Sequence, residues 1–74
     1  MSRSMMIANM IKQSGHVADV VDTINVALRA FGEPEIPENT VSASVLHVWA
    51  DSASNPELRF ILTVAERRIN DLAA

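Results

Sequence analysis

The chain has no cysteine and no tyrosine, and its 74 residues include only one tryptophan, two phenylalanines, two glycines and three prolines. Each scarcity removes a class of structure. Without thiols there is neither a disulfide framework nor a thiolate metal site. A chain this short buries only about 60% of the surface its unfolded form exposes, so it starts with a thin margin and no covalent staple. Association is the remedy left, and a homodimer is expected because two-fold symmetry is the commonest form it takes. No run of eighteen apolar residues is present, which excludes a membrane-spanning helix, and the first residues lack the apolar stretch and small-residue cleavage site of a secretory leader. A cytoplasmic protein is the expectation. Positive charge is scarce as well: six Lys and Arg stand against nine acids, for a net charge of −3. That balance argues against a sequence-independent grip on nucleic acid, where cations on phosphates supply most of the affinity.

What the chain does have is apolar residues, 49% of the total, set at helical spacing. Ile7, Met10, Ser14, Val17, Val21, Ile24, Leu28 and Phe31 recur three and four residues apart, a heptad stripe in which only Ser14 is polar. Ser4 is placed to cap the helix that carries its start. Ser14-Gly15 is the one interruption, and two readings stand. Gly15 could end a first helix and Ser14 cap a second. The stripe nevertheless keeps its register across the gap, and an interior glycine costs only about 1 kcal/mol, which favours a single or mildly kinked helix from Ser4 to Phe31. Such a rod would be about 40 Å long. Two shorter helices cannot cover all of it, so a dimer interface is expected along Ile7, Met10, Val17, Val21 and Ile24.

The segment Gly32-Glu33-Pro34-Glu35-Ile36-Pro37-Glu38-Asn39 stops the helix and reads as an acidic connecting loop. From Pro37 or Thr40 a second helix runs to about Ala53. Val41, Val45, Leu46, Val48 and Trp49 cover more than half of its circumference, as in a helix sandwiched between neighbours. Asn55-Pro56-Glu57 then combines a capping side chain, a proline at the first helical position and an acid against the positive helix end. The last helix runs to about Leu72 on a stripe of Leu58, Leu62, Ala65, Ile69 and Leu72, widened by Phe60, Ile61 and Val64. The fold class is all-α: one domain over 1–74, a small three-helix arrangement with a long or kinked N-terminal helix, or one split at Ser14-Gly15, and two shorter helices, expected as a dimer.

Residues with chemical potential are few. Ser44, His47 and Asp51 share a helical face and superficially supply a nucleophile, a base and an orienting acid, but three short helices offer neither an oxyanion hole nor a cleft. No catalytic residue is assigned. His16 and His47 have no set of partners at ligand spacing, and the three loop acids lack the Asp, Asn and Gly pattern of a calcium loop, so no metal or cofactor is expected. Glu33, Glu35 and Glu38 suit a basic protein surface, and Trp49 is the residue type most enriched at interface hot spots. With His47 these form the expected partner-binding set. Arg67 and Arg68 sit near a helix C-terminus, where cations complement the dipole.

The run Val41-Ser42-Ala43-Ser44-Val45-Leu46-His47-Val48-Trp49-Ala50-Asp51 resembles the recognition helix of the helix-turn-helix regulators found in small phage repressors. The resemblance covers these eleven positions only. It implies that Ser42, Ser44 and His47 face the major groove while Leu46 and Trp49 pack inward. The sequence departs from the pattern where the preceding helix belongs, since residues 32–39 read GEPEIPEN, and the helix itself has no Lys or Arg. The leading expectation is therefore a non-enzymatic protein-binding module, an inhibitor, anti-activator or adaptor acting on a larger protein. A phage-type DNA-binding regulator, with Arg59, Arg67 and Arg68 making up the missing charge, is the alternative. A structural subunit of an assembly is the third.

Overall fold

The computed structural model describes residues 2–73. Among them are four α-helices and no strand: α1 (Arg3–Gln13), α2 (Val17–Ala30), α3 (Ala43–Ser52) and α4 (Pro56–Ala73), with one 3-10 turn at Glu38–Thr40. The favoured 4–31 helix is instead two helices, as in the split reading at Ser14-Gly15, and the count of three becomes four. An unbroken rod of about 40 Å would also not fit the molecule, whose longest extent is 29 Å.

The break is tied down by a residue 54 positions away. In a continuous helix the Ser14 carbonyl would accept from the amide four residues on; here it accepts from Arg68 Nε of α4, at 2.9 Å. Ser14 caps α1 with extended backbone, and its hydroxyl donates back to the Met10 carbonyl at 2.9 Å. It does not cap α2, whose N-cap is His16 without a side-chain bond. Gly15 does not enter the left-handed region, which among the described residues only Gly32 does, at φ 74°. At Gly32 the need is specific. Its N–H donates to Arg29 O and that of Glu33 to Leu28 O, the paired bonds that close a helix through a left-handed residue.

The other helix ends follow local rules, with shifts in detail. Ser2, rather than Ser4, caps α1, accepting from the Met5 amide at 3.2 Å, while Ser4 turns inward and is buried. Ser42 caps α3 through Val45 N, so the helix begins later than Pro37 or Thr40. Asn55 Oδ1 accepts from Glu57 N at 2.8 Å, and Pro56 opens α4 as expected.

The central element is α4, which packs against the other three helices, most extensively against α3. Its Leu58, Ile61, Leu62, Ala65 and Ile69 meet Ile7 and Ile11 from α1, Val20, Ile24 and Leu28 from α2, and Leu46 and Ala50 from α3. Ile36 of the connecting loop joins them, 2% exposed. Asn25 pins it: Nδ2 donates to Ile36 O at 3.1 Å and Oδ1 accepts from Ile36 N at 2.9 Å. At the far end Arg3 lies 4.6 Å from the centre of the Phe31 ring, tying the start of α1 to the end of α2.

Two packing expectations change. The heptad stripe is not one face: Ile7, Val21, Ile24 and Leu28 are buried within the chain, while Met10 and Val17 are 57% and 40% exposed on either side of the break. Helix α3 is not sandwiched, because only Leu46 and Ala50 are buried and Val48 is 61% exposed.

Candidate functional site

A groove of about 370 Å³ opens where the acidic loop, α3 and the start of α4 converge. Three separate sequence signals build it. Proline and the left-handed Gly32 turn the chain out of α2 and lay Glu33 and Pro34 along one wall. The amphipathic spacing of α3 presents Val48, Trp49 and Ser52 as a second wall, with Trp49 half-buried and Val48 open to solvent. The short 53–55 connection and the Asn55 cap bring Leu58 and Leu62 beneath, where Leu28 completes the floor. Glu33 is the only ionisable side chain in the lining. Such a wall can seat an apolar side chain and flank it with one negative charge; it offers no acid–base pair and no ligand set.

The structure brings together part of the residue set expected to meet a partner. Trp49 and Glu33 share the groove. Glu35 turns to α2, where it accepts from Arg29 Nε at 2.9 Å, a surface ion pair that fixes the loop more than it stabilises the fold. Glu38 opens the 3-10 turn in solvent. His47 lies outside the groove, between Glu66 of α4 (Nδ1 to Oε1, 3.1 Å) and Asp51 (Nε2 to Oδ2, 3.4 Å). The Asp51 pairing follows from the i,i+4 spacing. Glu66 is half-buried against α3.

With both ring nitrogens facing carboxylates, no hydrogen bond joins His47 to Ser44 among the described residues. Nor are three metal-capable side chains among them placed to hold an ion together. Of the groove-facing set implied by the helix-turn-helix resemblance, Ser42 is occupied as the α3 cap, Ser44 is exposed and His47 is held by the two acids. Residues 32–37 are not helical, and only the 3-10 turn lies between α2 and α3. The arginines expected to supply basic charge are partly committed to backbone: Arg59 donates to Ala53 O at 2.8 Å and Arg68 to Ser14 O.

Of the residues expected at a dimer interface, Ile7, Val21 and Ile24 are core of their own chain and cannot face a second one; Met10 and Val17 remain at the surface. Sequence reasoning also missed a second groove, of about 410 Å³, lined by Lys12 of α1 and by Phe60, Val64, Arg67, Arg68 and Asp71 of α4. Phe60 and Val64, expected in the core stripe, are 39% exposed and half-buried respectively. Among the described residues no helix is long and apolar enough to cross a membrane. The chain matches no family model, no curated protein and no solved structure.

Proposed function

We propose that the protein is a non-enzymatic binding module of the cytoplasm that seats an apolar anchor of a larger protein in the Trp49 groove, as an inhibitor, anti-activator or adaptor. One observation carries the reading: an open groove of mixed polarity that sets the chain's only tryptophan and an exposed Val48 beside a single carboxylate. An anchored aromatic beside an apolar slot is the usual centre of a protein interface, and Glu33 suits a partner with a cation next to its anchor. The test is paired affinity capture with the wild type and Val48→Asp. Val48 stands in solvent, so the variant folds. A protein retained by the wild type and lost by the variant supports the groove; equal retention removes it.

Self-association is the second part of this reading, supported by the exposure of Met5, Met6 and Met10 along α1, at 42%, 55% and 57%. Methionine-rich helical faces adapt to many shapes and seldom stay bare. Light scattering on a size-exclusion column decides it, because a wild-type mass of one chain removes the homodimer.

A further inference from the structure

Half of the chain's six cations line one groove. Lys12, Arg67 and Arg68 surround Phe60 and Val64, with Asp71 the single acid there. They come from two helices that the fold presses together, α1 and α4. Arg68 is anchored rather than free-swinging, since its Nε donates to Ser14 O, and no other partner takes its remaining N–H groups among the described residues. Lys12 and Arg67 are exposed and make no ion pair among those residues. An arginine fixed at its stem is a donor fork that loses little freedom on meeting a carboxylate.

We infer that this groove is a second binding surface, and that its occupant is a short acidic segment of a protein, with an apolar side chain seated on Phe60 and Val64 and carboxylates on Lys12, Arg67 and Arg68. Charge decides among the occupants. A second copy placed across a two-fold axis would set three cations against three, which opposes isologous pairing through this face. Nucleic acid would extend beyond the groove: the patch is +2 in a chain of −3, so the rest of the surface holds −5 and repels a polyanion. A short acidic peptide confined to about 410 Å³ meets the cations without that penalty. The surface is independent of the Trp49 groove, because Phe60 lies two residues from both Leu58 and Leu62, about 200° around α4, on nearly its opposite side.

The test uses the full chain, labelled with nitrogen-15, and a fluorescent synthetic amphipathic peptide bearing Glu and Leu on one face. Saturable binding is expected that weakens with added salt and shifts the amides of Lys12, Phe60, Val64, Arg67 and Arg68 ahead of those of Val48 and Trp49. Lys12→Glu with Arg67→Glu, both at exposed positions, should weaken it by about tenfold, and Phe60→Ser should weaken it without changing the salt slope. The inference is overturned if no saturable binding occurs, or if the same peptide with Lys for Glu binds equally. It is overturned equally if a deoxythymidine oligonucleotide displaces the peptide from these amides, or if shifts centre on Trp49 instead.

Discussion

The pair of hydrogen bonds between Asn25 and Ile36 is the part-buried contact by which α2 holds the connecting loop, and hence the Glu33 and Pro34 wall of the groove. Replacing Asn25 by Ala removes both bonds and leaves the Ile36 amide and carbonyl part-buried without partners. At about 1 kcal/mol per net bond, plus the cost of the stranded groups, the loss is about 2–3 kcal/mol. Against the about 4–11 kcal/mol expected for a chain of this size, that is a large fraction. Asn25→Asp is the sharper test, since it keeps the acceptor for Ile36 N but sets a second carboxylate oxygen against Ile36 O. At neutral pH it should cost about 1–3 kcal/mol. The Ile36 amide favours the ionised carboxylate, whereas the Ile36 carbonyl and partial burial both oppose it, so the introduced acid titrates above its usual value near 4 when folded. The sign follows: the deficit is full above that raised value and shrinks as pH falls through it, where the protonated acid again donates to Ile36 O. Urea unfolding followed by far-UV circular dichroism, with variant and wild type compared at the same pH, reads both points. A variant as stable as wild type near pH 7, or a deficit that stays unchanged down to about pH 4, refutes the clasp.

Three further outcomes are expected. Gly15→Ala should leave stability unchanged or raise it by about 0.4–1 kcal/mol, because its backbone is ordinary and nothing lies within reach of a Cβ, while Gly32→Ala should cost about 1–2 kcal/mol for its left-handed φ; equal effects in denaturant melts would contradict the helix break. Leu62→Ala, fully buried under α2 and α3, should lose about 2–5 kcal/mol, and a loss below about 1 kcal/mol would show that α4 is not the centre of the core. Val21→Asp buries a charge and should abolish cooperative unfolding by circular dichroism, whereas Met10→Asp should fold like wild type; a folded Val21→Asp chain would sink the assignment.

What was legible in the sequence was local. Asn55-Pro56-Glu57 marks the start of α4 because cap, proline and acid act within one turn, and Gly32 with Pro34 ends α2 for the same kind of reason. The break at Ser14 was legible only as the less favoured of two readings, because the group that takes its carbonyl is Arg68, and glycine was a weaker signal than a stripe that ran in register. That register was coincidental. The buried face of α1 is Ser4, Ile7, Ala8 and Ile11, and Met10 entered the heptad only by its spacing from Ile7 and Val17. The same limit applies to the sites. Trp49 and Glu33 could be named individually, but their meeting over Leu58 and Leu62 depends on how α3 and α4 pack. The basic groove needs Lys12 beside Arg67, and its only trace in the sequence was that Phe60 and Val64 lie off the principal stripe of α4.

The break at Ser14 also alters the argument for association. A rod from 4 to 31 would have left Ile7, Val21 and Ile24 bare in a single chain and made a second chain a condition of folding. Folded back on itself, the chain covers those residues with α4, and the side chains left uncovered are different ones: Met5, Met6 and Met10 on α1, Val48 beside Trp49, and Phe60 among the cations. Val48 and Phe60 adjoin separate grooves whose rims carry opposite charge, Glu33 on one and Lys12 with Arg67 on the other. Apolar surface distributed in that way leaves the two grooves for other partners even where the α1 methionines pair two chains, since a two-fold axis can satisfy only one self-complementary patch at a time. The exposed residues therefore bear on what the protein binds, and the core residues once assigned to a dimer bear only on whether it folds.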